Sequence, residues 1–185
     1  MKIILAKSAG FCFGVRRAVE LTEQTAVKVA ESGGAAKVFT FGELIHNRDV
    51  VNRLREAGIA PIESLDEAQR GDYVIIRSHG VPKKIYEELE TRGINFIDAT
   101  CPFVSNIHRI VSAAYERGEQ VFIVGNPEHP ETIGINGHCG NSAIFIRSEE
   151  ELRKLEGRSG CLVVQTTFDS ETFAAMQRVI EREYP

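Results

Sequence analysis

Two cysteines with similar surroundings are the first residues in this sequence that suggest chemistry. Cys12 lies between two phenylalanines in "SAGFCFGVRRAVE", residues 8–20, and Cys101 lies in "DATCPFV". Each follows a short apolar run and precedes a helical pattern, and the N-terminus of a helix favours the thiolate that binds metal. Because neither cysteine has a partner at CxxC spacing, the pair predicts a metal or cluster assembled by the fold. The residues alone leave zinc and iron–sulfur open, and the soft thiolates favour iron–sulfur.

Three histidines and one glutamate add a second kind of chemistry. His46, His79 and His129 each follow an apolar run and lie among Gly, Asn, Pro and Ser. Imidazoles, loop amides and helix N-termini together form a pocket for an anion such as a diphosphate. Glu131 follows His129 by two residues in "EHPET" and is a candidate proton donor.

The remaining cysteines and histidines, and two arginines of the first helical pattern, are interpreted as structural or solvated residues. A single cysteine is usually a small buried hydrophobe, and helical arginines usually face water. These residues are Cys139, Cys161, His108, His138, Arg16 and Arg17.

The elements that must position the candidate residues alternate between short apolar runs and helical patterns. The runs lie at 2–6, 37–41, 72–78, 95–99, 120–125, 142–148 and 161–167. The helices are predicted at 14–31, 47–57, 82–92, 102–117 and 169–183. Short, β-branched, continuous runs suit buried parallel strands, and the alternation predicts an α/β fold. Ligands in such sheets bind outside the C-terminal ends of the strands.

The second half of the chain repeats the order of features in the first, with a period of about 85 residues. Each half has a strand with a cysteine, a strand with a histidine, and a Ser-x-x-Glu capping box, at Ser64–Glu67 and Ser148–Glu151. Each half then has a further strand that is followed by a polar residue. This residue is His79 in the first half and Thr166 or Thr167 in the second. Parallel sheets would bring these residues to one rim in each half, and two such rims could face a common centre.

The overall composition excludes several classes of protein. The chain has 185 residues, 43% of them hydrophobic, and a formal net charge of −4 with both signs interspersed. This composition argues against a nucleic-acid-binding protein and against a membrane-bound protein. The first ten residues lack the apolar region of a signal peptide. A cytoplasmic location is therefore expected. Four widely spaced cysteines do not form a disulfide framework.

Six motifs, taken together and in order, resemble the 4-hydroxy-3-methylbut-2-enyl diphosphate reductase (IspH/LytB) family. They are "GFCFGVRRAV", "GELIHN", "RSHGVP", "DATCPFV" followed by "IH", "GNPEHPET" and "QTT". The resemblance implies a [4Fe–4S] oxidoreductase of the non-mevalonate isoprenoid pathway. Such an enzyme removes the hydroxyl of an allylic diphosphate and yields isopentenyl and dimethylallyl diphosphate. Reduced ferredoxin or flavodoxin is the implied electron donor.

The resemblance also implies roles for single residues. Cys12 and Cys101 would be cluster ligands, and Glu131 would relay protons to the leaving hydroxyl. The implied substrate-binding residues are His46, His79, His129, Thr166 and Thr167, with no choice between the two threonines. The implied fold is three similar α/β units with mostly parallel sheets around a central cluster, of which this chain shows two.

The resemblance also predicts what the 185 residues do not contain. Two thiolates are too few for a four-iron cluster, and a third copy of the repeat would place its cysteine at about residue 190. The third ligand is therefore expected beyond Pro185, and the chain, which looks truncated, is expected to be inactive alone. The expected domains are 1–13, a strand and cysteine loop of the third unit, then 14–98 and 99–185. The alternative functions are a zinc-dependent hydrolase and a non-catalytic diphosphate-binding fragment.

Overall fold

The computed structural model describes residues 3–4, 6, 9–33, 35–155 and 157–183, which fall into two compact units. The first unit comprises the described residues of Met1–Ser78 and Leu89–Cys101. The second comprises those of His79–Glu88 and Pro102–Pro185. The three domains expected from the sequence, 1–13, 14–98 and 99–185, stay a prediction.

The first unit is built on a four-stranded parallel sheet in the order β2-β1-β3-β4. The strands are β1 (Val38–Phe41), β2 (Ala60–Ile62), β3 (Tyr73–Ile76) and β4 (Asn95–Asp98). The helices are α1 (Phe13–Glu31), α2 (Arg48–Glu56) and α3 (Lys83–Arg92), of which the last begins in residues of the second unit. The apolar face of α1 joins the core through buried Ala18 and Val19, and Ala99 after β4 belongs to the same cluster.

The second unit has a three-stranded parallel sheet in the order β6-β5-β7. Its strands are β5 (Val121–Val124), β6 (Ile144–Ile146) and β7 (Cys161–Val164). Its helices are α4 (Pro102–Glu116), α5 (Pro130–Gly137), α6 (Glu149–Arg153) and α7 (Ser170–Glu183). All four residues of β5 are buried, as expected for the central strand of a parallel sheet.

The predicted α/β fold with parallel sheets is confirmed, and the two sheets repeat one another. The order β2-β1-β3 in the first unit matches β6-β5-β7 in the second, and β4 is additional. Ser64 and Glu67 form a complete capping box. Ser148 also caps its helix by accepting a hydrogen bond from the Glu151 backbone, but the Glu151 side chain bonds the backbone of Arg147 instead.

Two short elements were missed by the sequence patterns. Strand β2 has only three residues, one of which is Pro61, and helix α5 is rich in glycine, so neither has the periodicity that predicts its type. The strand predicted at 2–6 lies partly outside the described residues. Ile3, Ile4 and Ala6 are described and are not in a strand, and Ile3 and Ile4 are exposed. No helix within the described residues is long and apolar enough to span a membrane.

Candidate functional site

The two candidate cysteine ligands both lie in the first unit and both precede helices. Cys12 is the N-cap of α1, and its carbonyl accepts the first helical hydrogen bond from the Arg16 backbone at 3.0 Å. Cys101 lies between β4 and α4, where its backbone N–H donates to the Ser78 carbonyl at 2.9 Å. Both thiols are free, Cys12 is exposed and Cys101 is half-buried. They are therefore accessible donors at the starts of two helices.

The structure brings the two cysteine segments together at Gly14. A Cβ atom built on Gly14 would lie 2.6 Å from Cys101 Sγ and 3.2 Å from Cys101 Cβ. Gly14 is buried and follows Cys12 by only two residues, so the first turn of α1 lies directly against the second thiol. The sequence places Gly14 two residues after Cys12, but only the structure shows that Gly14 makes room for Cys101.

Arg17 links the same two segments and was not expected to do so. One terminal nitrogen of its guanidinium donates to the Thr100 carbonyl at 3.1 Å, and the other donates to the Asp98 carbonyl at 3.3 Å. The helical pattern predicted a solvated or salt-bridged face for Arg17, whereas its partners in the structure lie 81 and 83 residues away along the chain. No local pattern reports a contact at that separation.

The surroundings of the thiols fit an iron–sulfur cluster. Soft thiolates are the ligands such clusters require, and the absence of a side chain on Gly14 leaves space beside Cys101 Sγ. Thr100, directly before Cys101, is 3% exposed, and its hydroxyl has no partner among the described residues. A buried hydroxyl without a partner is rare unless a bound group or water completes it. Cys12, Cys101 and Thr100 would therefore suit a bound polar group.

His46 is held by the loop that follows β1 in the first unit. The preceding residues Leu44 and Ile45 are buried, whereas His46 is exposed, and Asn47 caps α2 by accepting a hydrogen bond from Val50 N at 3.1 Å. Because the residues on both sides are anchored, the backbone of His46 is held beyond the C-terminal end of β1, and ligands bind at such strand ends in this fold class.

His79 and His129 lie together in the second unit. Their rings meet edge to face, with centroids 5.5 Å apart. His129 is also the N-cap of α5, where its Nδ1 accepts a hydrogen bond from the Glu131 backbone at 3.1 Å. Since Nδ1 is an acceptor, neutral His129 carries its proton on Nε2, which leaves that nitrogen as a hydrogen-bond donor.

Glu131 is buried and bonded to Thr166. The residue is 1% exposed, and one carboxylate oxygen accepts from Thr166 N at 2.6 Å while the other accepts from Thr166 Oγ1 at 2.7 Å. Thr167 instead accepts a hydrogen bond from Gln165 Nε2 at 2.8 Å. The structure therefore separates the two threonines that the sequence left equivalent, and Thr166 is the partner of the candidate proton donor.

Gln165 ties together the two loops that carry these groups. It is 7% exposed, and its Oε1 accepts from Asn126 N at 3.0 Å while its Nε2 bonds Thr167. Buried Thr132 donates from its hydroxyl to the carbonyls of Asn126 and His129. Gln165 and Thr132 lie in the "QTT" and "HPET" motifs, but their types alone did not distinguish them from other polar loop residues.

The residues interpreted as structural have structural surroundings in the second unit. His108 and His138 stack with ring centroids 4.1 Å apart. Burial, with a further contribution from His138, lowers the pKa of His108 to about 3, so the ring is neutral near pH 7. Burial also raises the pKa of the Cys139 and Cys161 thiols, which disfavours the reactive thiolate at both.

Comparison with known proteins identifies the family. The family model described as LytB protein matches residues 3–185. The chain belongs to the LytB protein family. LytB relatives with the curated name 4-hydroxy-3-methylbut-2-enyl diphosphate reductase include one from Thermoanaerobacter sp. (strain X514), 44% identical over 184 residues. Another, from Clostridioides difficile (strain 630), is 40% identical over 179 residues.

These LytB relatives are longer than the present sequence. The matches cover 98% and 95% of this chain, but 62% of each relative. A solved structure of (E)-4-hydroxy-3-methyl-but-2-enyl diphosphate reductase matches with a TM-score of 0.81 at 38% identity, over 98% of this chain and 64% of that one. The Plasmodium falciparum E-1-hydroxy-2-methyl-but-2-enyl-4-diphosphate reductase gives a TM-score of 0.86 at 25% identity, over 97% of this chain and 56% of that one.

Proposed function

We propose that these 185 residues form part of a [4Fe–4S] enzyme that reductively dehydroxylates 4-hydroxy-3-methylbut-2-enyl diphosphate. The observation that carries the proposal is the close approach of Gly14, at the start of the helix capped by Cys12, to the sulfur of Cys101. It places two accessible soft donors in one region of the first unit. Membership of the LytB family and the names of the relatives support the same activity.

The proposed reaction consumes two electrons and two protons. The allylic C–O bond breaks, and the hydroxyl takes one proton and leaves as water. The two electrons and the second proton form a new C–H bond, which gives isopentenyl or dimethylallyl diphosphate according to the carbon protonated. When bound, the cluster would supply the electrons to the substrate. Cys12 and Cys101 would hold it, together with a third cysteine from residues beyond Pro185.

The histidines are proposed to bind the diphosphate. His129 presents an Nε2–H donor because its Nδ1 is occupied by the Glu131 backbone. The edge-to-face contact with His79 holds that ring in place, and His46 lies exposed between anchored neighbours in the first unit. Hydrogen bonds to an anionic ligand are stronger than neutral ones, so three imidazoles suit a diphosphate.

Glu131 and Thr166 are proposed to deliver the proton to the leaving hydroxyl. Glu131 is buried, whereas Thr166 is exposed and donates its hydroxyl to Glu131 at 2.7 Å. When Glu131 carries a proton, the direction of this hydrogen bond reverses, and the Thr166 hydroxyl can accept that proton and donate its own to a substrate oxygen. Thr167 would contact the substrate beside it. The electron donor is proposed to be reduced ferredoxin or flavodoxin, and the compartment the cytoplasm.

The test compares this chain with an extended form under anaerobic iron–sulfur reconstitution. The extension is the remaining C-terminal segment of the Thermoanaerobacter reductase, joined after residue 185. We expect the extended form to be brown, to bind about four irons per chain, and to convert the substrate with a chemical reductant. Replacing Cys12 or Cys101 by Ser should abolish both properties, whereas replacing Cys139 by Ser should not.

Three results would count against the proposal. Colourless protein that retains zinc would favour the alternative hydrolase. A brown extended form that binds substrate but yields neither product would separate the cluster from the proposed reaction. Stable four-iron loading of the 185 residues alone would refute the requirement for a third cysteine outside them.

A further inference from the structure

We infer that Arg17 is a positioning residue for the thiol pair, holding the Cys101 loop against the helix that begins at Cys12. The inference rests on the proposed function, because it gives Arg17 a role toward the group that the two thiols would bind. Arg17 makes no direct contribution as a ligand, since a guanidinium has donors and no acceptor.

The loop that carries Cys101 is fixed on one side by the sheet. The Ala99 N–H donates to the Ile76 carbonyl at 3.1 Å, and the Cys101 N–H donates to the Ser78 carbonyl at 2.9 Å. The Thr100 N–H donates to the Asp98 carboxylate at 2.9 Å. These three bonds use the backbone donors between β4 and Cys101, and the carbonyls of Asp98 and Thr100 are acceptors on the same segment.

The Arg17 guanidinium donates hydrogen bonds to both of those carbonyls. Its two terminal nitrogens donate to Thr100 O at 3.1 Å and to Asp98 O at 3.3 Å. A guanidinium presents its donors as a rigid planar fork, so this pair of bonds fixes direction as well as distance. A lysine ammonium is a point donor on a flexible stem and cannot reproduce both bonds with the same geometry.

The position of Arg17 in α1 makes this contact relevant to both cysteines. Arg17 follows Cys12 by less than two helical turns, and the helix between them is rigid. Ala18, next to Arg17, is 0% exposed and belongs to the same core cluster as Ala99 in the Cys101 loop. Gly14 lies against Cys101 Sγ. Contacts at Gly14 and Arg17 therefore hold the Cys101 segment against the helix that Cys12 caps, and Arg17 supplies the polar one of the two.

Arg16 provides a matched control. It lies next to Arg17 in the same helix turn and has the same charge, but it is exposed, whereas Arg17 is half-buried. Replacing either by Met removes one positive charge and keeps a flexible apolar stem. Any difference between the two variants therefore reports the bonds to Thr100 and Asp98 rather than net charge.

The experiment is an anaerobic Co²⁺ titration of the 185-residue chain, read by the thiolate-to-cobalt charge-transfer band and the visible ligand-field bands. Removal of an outer partner of a metal site typically weakens metal affinity by about 10–100-fold. We expect R17M to weaken Co²⁺ binding about tenfold and to alter the ligand-field spectrum, R17K to be intermediate, and R16M to match the unaltered chain. Thermal unfolding shows that each variant is folded at the titration temperature.

The outcomes separate this inference from the proposed function. Loss of the charge-transfer band in C12S and C101S shows that these thiols bind the metal. If that band is present and R17M matches R16M in affinity and spectrum, the role of Arg17 is refuted while the thiol pair stands. If the unaltered chain shows no band, the same titration is made on the extended form and its C12S, C101S, R17M and R16M variants, where the absence of a thiolate band refutes the thiol pair. Conversion of the substrate by the reconstituted extended form tests the proposed reaction separately. If R17M does not fold, R17K against R16K decides the question in the same way.

Discussion

The cysteine region of the first unit and the glutamate region of the second are built in opposite ways. Cys12 and Cys101 have accessible sulfurs, and their position depends on backbone bonds, Gly14 and Arg17 around them. Glu131 is 1% exposed, and both of its oxygens already accept hydrogen bonds from Thr166. One region presents accessible donor atoms, and the other presents a buried carboxylate that two hydrogen bonds hold in place.

This difference follows from what each group is proposed to do. A ligand must leave its donor atom free until the metal arrives, so the protein can fix only the atoms around it. A proton carrier works at a fixed distance, so its own hydrogen bonds can hold it. Substitutions in the glutamate region should therefore lower the stability of the fold, whereas substitutions in the cysteine region should mainly lower metal affinity.

The largest loss of stability is expected from replacing Glu131 by Ala. The variant leaves the backbone N–H and hydroxyl of Thr166 without their acceptor and opens a cavity, which together should cost about 3 kcal/mol in unfolding free energy. Urea denaturation followed by circular dichroism measures this. Replacing exposed Glu128 by Ala is the control and should change the value by less than about 0.5 kcal/mol. Equal effects would show that Glu131 is not structurally fixed.

A second large effect is expected at Gly137 in α5. A Cβ atom there would lie 2.6 Å from Pro82 Cα, which is backbone and cannot rotate away. Replacing Gly137 by Ala should therefore destabilise the fold by about 2 kcal/mol. In the same helix, a Cβ on Gly134 would lie 3.4 Å from its nearest neighbour, so Ala there should be neutral or stabilising. Equal thermal midpoints for the two variants would contradict this description of the helix.

His108 should give the second unit a specific pH dependence. Its pKa is about 3 in the folded chain, against 6.5 for an unburied histidine, mainly because burial disfavours the charged ring. Below pH 6.5 this histidine is therefore protonated in the unfolded chain and neutral in the folded chain. The stability of the fold falls as the pH drops from 6.5 toward 3. Between pH 7 and pH 5 the unfolding free energy of the unaltered chain should fall by about 1–2 kcal/mol more than that of H108F.

The control for His108 is the exposed histidine of the first unit. H46F changes a histidine at an exposed loop position and leaves the buried His108 ring in place, so its stability should keep the pH slope of the unaltered chain. Denaturant titrations at both pH values provide the slopes. A slope for H108F equal to that of the unaltered chain would show that His108 is not held neutral by burial.

The smallest effect on stability, with a clear effect on metal binding, is expected at Gly14. Ala at this position meets Cys101 Sγ at 2.6 Å, and because a thiol can rotate, the cost in unfolding free energy should be below about 1 kcal/mol. The rotated thiol no longer points where it did, so Co²⁺ affinity should fall about tenfold. Adding G14A to a C101A chain is the control. If G14A lowers stability equally in both backgrounds, the clash is not with the sulfur.

Local sequence determined most of the elements and the candidate residues, although β2 and α5 were missed. Apolar runs and helical patterns predicted the parallel α/β fold, and the Ser64–Glu67 capping box forms as its spacing required. Capping, helical periodicity and strand burial all act within a few residues, so the chain encodes them locally. The motifs around Cys12, Cys101 and Glu131 also led to the family that the comparison identified. The ligand and substrate roles of these residues stay predictions.

The tertiary structure decided which residues meet. It placed Gly14 beside Cys101, joined Arg17 to carbonyls 81 and 83 residues away, and chose Thr166 over Thr167 as the partner of Glu131 across 35 residues. Two adjacent threonines have the same chemistry, and the turn that follows β7, closed by the Phe168 N–H donating to the Gln165 carbonyl, gives them different partners. Arg16 and Arg17 are adjacent on one helix, and they differ in whether the rest of the unit packs against their side of that helix. Such choices depend on how the crossovers return each strand to its sheet, which no local pattern specifies.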